Sequence, residues 1–286
     1  MKFTFAIWSG YYKDLCFEDA IRAFIEQGVY AVELSCEHGL ELFSRSEDVV
    51  ATGRAVQAFL KENNFTMTQG HLPLHFAIVG QREEMATMLR LIDLYEACGV
   101  QNMVLHCDRM YKKPDLLAKE RFDENIISLK IIAEHIRGKN ICICLENLRQ
   151  PLIYPVKEAL PLGFAEDLIR LIDAVGSEQF GICLDTGHLN LVGGNQGDFI
   201  RTAGSYLRAL HIADNQNVHD MDEHLMPFGR GTVDFIDVVR ALHEINYSGM
   251  FNFEIPGENR CPIPIRNAKL QYIKTIYAYL LAETEQ

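Results

Sequence analysis

Apolar and polar positions follow a repeating two-part pattern along the chain. A short, nearly continuous apolar run comes first, and a longer segment with apolar residues at helical spacing follows it. The first such pair is 2–9 and 17–28, where Gly28 closes the predicted helix. Nearly continuous apolar runs are typical of parallel strands that are buried on both faces. The pattern therefore predicts strand–helix units.

This unit recurs eight times along the sequence. The predicted strands are 2–9, 30–36, 65–72, 102–108, 141–147, 180–188, 207–215 and 249–255. The predicted helices are 17–28, 47–64, 81–98, 122–137, 165–175, 198–206, 234–246 and 264–283. Eight such units without a linker between them predict an α/β fold, a (β/α)8 TIM barrel formed by residues 1–286 as a single domain. A doubly wound open sheet is the alternative, but no GxGxxG motif follows the first strand.

Composition and charge narrow the classes of function. The 286 residues include 27 Lys and Arg against 39 Asp and Glu, a net charge of −12. This balance disfavours nucleic acid as a partner, because nucleic-acid binding needs clustered positive charge. No apolar run approaches the roughly 20 residues of a membrane span, and the first residues become polar too soon for a signal peptide. The eight cysteines form no small-domain framework, so we expect reduced thiols and a cytoplasmic protein.

Potential metal ligands stand at the ends of six of the eight predicted strands. They are His71, His106, Glu146, Asp185 with His188, His211 and Glu254. The segment that follows His211 adds Asp222 and His224. In a (β/α)8 barrel the carboxyl ends of the strands meet at one mouth, so these side chains are predicted to converge. Carboxylate oxygen mixed with imidazole nitrogen suits Mn, Zn, Co or Fe, and Mg where oxygen ligands dominate.

Each of these residues also has a structural interpretation. A lone histidine at a strand end is more often a hydrogen-bonded core residue than a ligand, and Asp185 alone could cap the next turn. Glu146 and Glu254 are different, because each follows an apolar strand and a buried glutamate without a partner costs several kcal/mol. The predicted ligands of one shared divalent ion are therefore Glu146, Asp185, His211 and Glu254.

The other histidines and two loops are assigned no site. The histidines interpreted as structural or solvated are His38, His75, His135, His219 and His243. The segment YKKP at 111–114 is interpreted as a solvated loop, with a phosphate contact as the alternative. The glycine-rich segment 191–197 is expected to be a loop, and it lacks the GK[ST] of a phosphate-binding motif.

Four motifs resemble those of the xylose isomerase-like TIM barrels. They are CLENL, CLDTGHLNL, LHIAD followed by DEHLMPFGRGTVDF, and FNFEIPG, and the resemblance covers essentially the whole chain. That superfamily includes sugar and sugar-phosphate isomerases and epimerases, inosose dehydratases and endonuclease-IV-type apurinic-site nucleases. The resemblance implies the fold and a metal site more specifically than it implies a substrate.

The ketose 3-epimerase branch of the family implies roles for individual residues. One divalent ion (Mn, Zn, Co or Mg) is held by the residues matching Glu146, Asp185, His211 and Glu254. The two glutamates also act as the acid/base pair, and the substrate is a small-molecule sugar or sugar phosphate. Proton transfer through an enediolate would serve isomerisation and epimerisation alike. The expected substrate-binding residues are His71, His106, His188, His224 and Trp8, the last as a stacking wall with ordinary packing as its alternative.

The nuclease branch offers a rival assignment from another reaction class. There nine ligands hold up to three zinc ions, and the matching residues are His71, His106, Glu146, Asp185, His188, His211, Asp222, His224 and Glu254. The surrounding motifs depart from that branch: HCD replaces HPG, LENLRQ replaces LENTAG, and DTGH replaces DTCH. The departures favour the sugar isomerase or epimerase. A polyol or inosose dehydratase is the second alternative, and a homo-oligomer is compatible with the sequence.

Overall fold

The computed structural model describes residues 3–73, 82–107, 115–149, 158–218 and 221–284. Eight strands lie in these ranges: β1 Thr4–Trp8, β2 Ala31–Leu34, β3 Thr66–His71, β4 Asn102–Leu105, β5 Cys142–Glu146, β6 Phe180–Asp185, β7 Leu207–His211 and β8 Met250–Phe253. The α-helices are α1 Phe17–Glu26, α2 Cys36–Ser44, α3 Val49–Glu62, α4 Arg82–Cys98, α5 Ala118–Ile136, α6 Ala165–Val175, α7 Thr186–Leu191, α8 Gln196–Ala203, α9 Phe235–Glu244 and α10 Ile263–Thr284.

The eight strands are parallel and follow one another around a ring. Their order is β7-β6-β5-β4-β3-β2-β1-β8. The ring closes between β7 and β8 through a parallel bridge between Ile212 and Phe253. There the Ile212 N–H donates to the Asn252 carbonyl at 2.8 Å, and the Glu254 N–H donates to the Ile212 carbonyl at 3.2 Å. The protein is therefore a (β/α)8 TIM barrel, as the repeated pattern predicts.

Polar side chains start several helices directly after the strands or loops that precede them. Ser35 accepts a hydrogen bond from the His38 N–H at the start of α2, and Asp185 does the same for His188 at the start of α7. Such side chains satisfy backbone donors that a helix leaves free in its first turn. At the other end of a helix, Gly176 stops α6 in the left-handed conformation at φ 74°, which glycine adopts without strain.

The interior of the barrel is filled by small side chains below the strand ends. Val104, Cys144, Cys183 and Ala209 form one fully buried cluster there. Cys144 lies two residues before Glu146 on β5, so both side chains point to the same, inner face of the sheet. The strands thus place apolar atoms low in the barrel and ionisable groups at its carboxyl-terminal mouth.

Two helices and one loop differ from the sequence expectations. Helix α2 was not predicted, and Cys36, which the apolar run assigned to the second strand, is its first residue. Helix α7 was also missed, because its six residues are too few to show a periodic pattern. The expected loop 191–197 contains the start of α8, where Asn195 caps the helix through a bond from the Asp198 N–H.

Two further observations concern the cysteines and the helices. All eight cysteines are free thiols. Within the described ranges, no helix combines the length and the apolar character that crossing a membrane requires.

Candidate functional site

The nine residues singled out at the strand ends and in the loop after β7 come together at the mouth of the barrel. They surround or contact a cavity of about 380 Å³. The cavity is lined by Trp8, Cys36, Glu37, His71, His106, Glu146, His188, Asp222, Glu223, His224, Glu254 and Pro256. Asp185 and His211 are fully buried and contact residues of this lining.

Glu146, the last residue of β5, is the centre of a group of four histidines. Its contacts are His106 Nε2 at 2.8 Å, His71 Nε2 at 3.3 Å and His211 Nδ1 at 3.4 Å on Oε2, and His188 Nδ1 at 3.1 Å on Oε1. Burial alone would raise the pKa of the Glu146 carboxyl, but the imidazoles outweigh it and hold that pKa well below its ordinary range. Glu146 is therefore an ionised carboxylate in a nearly water-free setting.

His211 joins the two glutamates of the site. Its Nδ1 atom lies 3.4 Å from Glu146 Oε2 and 3.3 Å from Glu254 Oε2. This nitrogen is buried and has no hydrogen-bond partner. On the other side of the ring, Nε2 lies 2.9 Å from Glu33 Oε1. The ring is therefore held from one side and presents its other nitrogen to the mouth.

One side-chain oxygen of Asp185 caps a helix, and the other has no hydrogen-bond partner. Oδ1 accepts the His188 N–H at 2.7 Å and so caps α7. Oδ2 is buried without a hydrogen-bond partner. The turn that carries Asp185 is tied to the end of β7, because Thr186 Oγ1 donates to the Ala213 carbonyl at 2.6 Å. The side chain of Asp185 is thus fixed by the cap on α7, and its backbone is fixed by the neighbouring Thr186.

The loop after β7 brings Asp222 and His224 over the cavity. Asp222 Oδ2 lies 3.0 Å from His188 Nε2, and the His224 ring contacts the Glu254 carbonyl at 2.9 Å through Nδ1. An antiparallel bridge between Asp214 and Leu225 holds the two ends of this turn together. His224 adopts φ 45°, a left-handed conformation that is uncommon for a residue with a Cβ.

Glu254 follows β8 and differs electrostatically from Glu146. Burial raises the pKa of Glu254 to about 7, although the His211 and His224 imidazoles oppose that rise. Burial alone would lower the pKa of His224, but Glu254 and Asp222 outweigh it and raise that pKa to about 10. The site therefore combines one glutamate that is firmly ionised with another that exchanges its proton near neutral pH.

The donor set fits a divalent cation. Three overlapping groups bring potential ligand atoms within 4.8 Å of one another: His71, Glu146 and His211; Glu146, Asp185 and His188; and Asp185, His224 and Glu254. Each group contains two of the four predicted ligands, namely Glu146 with His211, Glu146 with Asp185, and Asp185 with Glu254. Buried polar atoms without partners are rare in folded proteins, and Asp185 Oδ2 and His211 Nδ1 are two such atoms in one site. Carboxylate oxygen with imidazole nitrogen suits a transition-metal ion.

Sequence reasoning missed one residue that is central to the geometry. Glu33 on β2 is fully buried and contacts His211, yet no candidate was assigned to the second strand. The available signal was a single charged residue inside the apolar run AVEL. Lining residues Cys36, Glu37, Glu223 and Pro256 were also missed, since they lie beyond the ends of the strands.

The histidines assigned no site lie away from the cavity wherever they are described. His38 is buried and contacts Ser9 Oγ at 3.0 Å, and His135 contacts Asp93 at 2.8 Å. His243 packs with Phe3, at 5.0 Å between ring centroids. His75, His219 and the segment 111–114 lie outside the described residues.

The sequence matches the xylose isomerase-like TIM barrel family over residues 21–276. The chain therefore belongs to this family, in agreement with the motifs at its strand ends. An uncharacterized protein of Sinorhizobium fredii, y4fM, is 30% identical over 183 residues, which are 62% of this chain and 54% of that protein. The match thus spans about half the length of that relative.

Enzymes that act on ketoses are also similar to this chain. The D-psicose 3-epimerase of Enterocloster bolteae is 23% identical over 234 residues, which are 78% of this chain and 71% of that enzyme. The crystal structure of a D-psicose 3-epimerase with D-tagatose, from Clostridium cellulolyticum H10, has a TM-score of 0.78 at 17% identity and covers 97% of this chain and 99% of that one. At this identity the likeness establishes the shared fold.

Proposed function

We propose that the protein is a divalent-metal-dependent epimerase or isomerase of a sugar or sugar phosphate. The observation that carries this proposal is the pairing of Glu146 and Glu254, whose Oε2 atoms both contact His211 Nδ1, at 3.4 and 3.3 Å. Two carboxylates that face one mouth from different strands suit the removal and return of one proton. The relatives that are D-psicose 3-epimerases support a ketose as the substrate class.

Glu146 and Glu254 both face the mouth of the barrel and are placed for this chemistry. Glu146 is kept ionised by four surrounding histidines and can accept a proton from a carbon next to a carbonyl group. Glu254, which follows β8, can return a proton to the other face or to the neighbouring carbon. A bound cation would lower the pKa of this carboxyl, which burial raises to about 7 in the metal-free site. The two glutamates extend from strands three places apart in the ring, so they approach a bound sugar from different sides.

Four residues of the site would hold the cation: Glu146, Asp185, His211 and Glu254. When bound, a divalent ion supplies a positive charge that stabilises negative charge developing on the oxygens of the substrate. The remaining lining residues can position the sugar. Trp8 offers an aromatic face at the end of β1, and the rings of His106 and His188 line the same cavity. A cavity of about 380 Å³ is within the range of small-molecule sites.

Exchange of a carbon-bound proton with solvent tests the proposed reaction. Free and phosphorylated ketoses and aldoses are incubated with the protein and Mn²⁺ in deuterated water, and products are analysed by NMR and mass spectrometry. We expect conversion of one sugar with deuterium bound to carbon in the product. Conversion without deuterium would indicate a hydride shift and would reduce both glutamates to ligands. The absence of conversion for every sugar would contradict the proposal.

A multinuclear phosphodiester nuclease is the second candidate. The observation in its favour is that three overlapping groups of ligand atoms share the mouth of the barrel. Against it, the cavity lining carries the carboxylates Glu37, Asp222, Glu223 and Glu254, which repel a polyanion. Metal analysis of the purified protein separates the two functions, because one ion per chain supports the epimerase and three zinc ions support the nuclease.

A further inference from the structure

Glu33 is a buried carboxylate on β2, one of the two strands that contribute none of the potential metal ligands. It lies on β2 and its side chain is fully buried. Oε1 lies 2.9 Å from His211 Nε2, and the Asn252 amide donates a hydrogen bond to Oε2. Glu33 therefore reaches across the barrel interior to β7 and β8, on the two sides of the seam where the barrel closes.

The contact with Glu33 determines which nitrogen of His211 is available. A neutral imidazole carries one N–H, and a carboxylate can only accept a hydrogen bond. In a neutral ring the hydrogen on Nε2 therefore faces Glu33, and Nδ1, which lies 3.4 and 3.3 Å from Glu146 and Glu254, keeps its lone pair for a cation. A lone pair that faces two carboxylate oxygens is unfavourable unless a proton or a cation lies between them. The orientation is that of a metal ligand.

We propose that Glu33 is a positioning residue for His211 in the cation site. It selects the tautomer with hydrogen on Nε2, fixes the plane of the ring and increases the electron density on Nδ1. Asn252 fixes Glu33 in turn through its amide. This role rests on the cation site of the proposed function. Glu33 is not among the described residues that line the cavity, so it acts through His211.

A graded series of variants tests this role through binding of Co²⁺ alone. Glu33→Gln keeps the shape and one acceptor oxygen but removes the charge, whereas Glu33→Leu removes both. Asn252→Leu keeps the charge of Glu33 and removes its anchor. The exposed Glu62→Gln on α3 is the control. Co²⁺ affinity is measured by competition with a chelating dye, and the visible absorption of bound Co²⁺ reports the ligand geometry.

We expect Glu33→Gln to weaken Co²⁺ binding by about 10- to 100-fold, the usual effect of removing a partner of a ligating histidine. Glu33→Leu should weaken it further, Asn252→Leu should weaken it less and alter the absorption spectrum, and Glu62→Gln should match the wild type. The melting temperature of each variant without metal separates positioning from folding. Glu33→Gln removes one charge of a buried contact and should lower the melting temperature, so Co²⁺ affinity is measured well below the melting temperature of every variant.

Two results would overturn the role of Glu33. If the Glu33→Gln variant binds Co²⁺ with the affinity of the wild type, whatever its melting temperature, the carboxylate is only structural. A wild-type protein that binds no divalent cation would instead contradict the proposed function, and the inference about Glu33 would fail with it.

Discussion

Asn147 holds the peptide of Asp185 through both polar atoms of its side-chain amide. Oδ1 accepts the Asp185 N–H at 2.7 Å, and Nδ2 donates to the Asp185 carbonyl at 3.0 Å. Both residues are fully buried. Asn147 follows Glu146 directly in the sequence. One short segment therefore supplies the candidate ligand Glu146 and fixes the backbone of a second candidate ligand, Asp185.

Asn147→Ala should therefore reduce both stability and cation binding. The substitution leaves the buried N–H of Asp185 without its partner and removes one hydrogen bond to the Asp185 carbonyl, at a cost of about 1–3 kcal/mol in unfolding free energy. Urea unfolding measures this loss, and a Co²⁺ titration measures binding. Asn102→Ala is the matched control, because its amide bonds the Arg208 carbonyl at 3.1 Å on another pair of strands. Weakened Co²⁺ binding in the control, or unchanged binding in Asn147→Ala, would contradict this coupling.

Asp185→Ala and His211→Ala should each lose bound metal, because each removes a buried ligand atom that has no other partner. Chelation of the wild-type protein should lower its melting temperature, since a ligand that binds only the native state stabilises it, by about 2.7 kcal/mol at 100 times its Kd. Elemental analysis and thermal melting measure the two effects. Full metal content in both variants, or an unchanged melting temperature after confirmed removal of the metal, would be inconsistent with the site.

A partly buried ion pair away from the site makes the stability of the protein depend on pH. The Arg266 guanidinium is 4% exposed and bonds both oxygens of Asp14, at 2.6 and 2.7 Å. This hydrogen bond from Arg266 holds the pKa of Asp14 below its ordinary value. Since the folded-state pKa is depressed, the contact stabilises the protein fully above the unfolded pKa, about 3.9, and the stabilisation is lost as pH falls through the folded pKa.

Asp14→Asn should accordingly lower the melting temperature at pH 7, because it leaves the Arg266 charge buried without its carboxylate. The difference from the wild type should shrink as pH falls below about 4. Asp19→Asn is the control, because its partner Arg22 is 58% exposed and surface pairs contribute little. Thermal melting from pH 7 to pH 3 measures both variants, and a difference that does not change with pH would contradict the assignment to this ion pair.

The strands and most site residues could be predicted because both follow from local sequence. The run 141–147 predicts a buried strand, and the structure has β5 at Cys142–Glu146. The closure of the barrel then brings Glu146, Asp185, His211 and Glu254 to one mouth without further information from the sequence. Their convergence was predicted from the fold, whereas their chemical roles stay predictions.

The remaining features depend on contacts between distant segments. Glu33 interacts with His211, 178 residues away, and no local pattern encodes that pairing. Helix α7 has six residues and begins at a cap made by Asp185, a residue that the sequence assigned to metal binding. The left-handed backbone of His224 lies in the loop that the bridge between Asp214 and Leu225 closes, and no local pattern in the sequence marks it.

Catalysis by the two glutamates predicts a specific pattern in their glutamine variants. Glu146→Gln and Glu254→Gln keep the size of each side chain and remove its ability to accept a proton. Each variant that retains metal should lose at least about 10²-fold in turnover of the sugar that the wild type converts, the lower range for a positioned acid or base.

Solvent exchange separates the roles of the two glutamates. If one residue removes the proton and the other returns it, the variant of the first should lose exchange of the substrate proton. The variant of the second should still exchange that proton while it forms little product. Metal content is measured alongside, and the exposed Glu62→Gln should retain wild-type turnover. Full turnover in either metal-loaded glutamine variant would exclude that residue from proton transfer, because an amide cannot replace a carboxylate as a base.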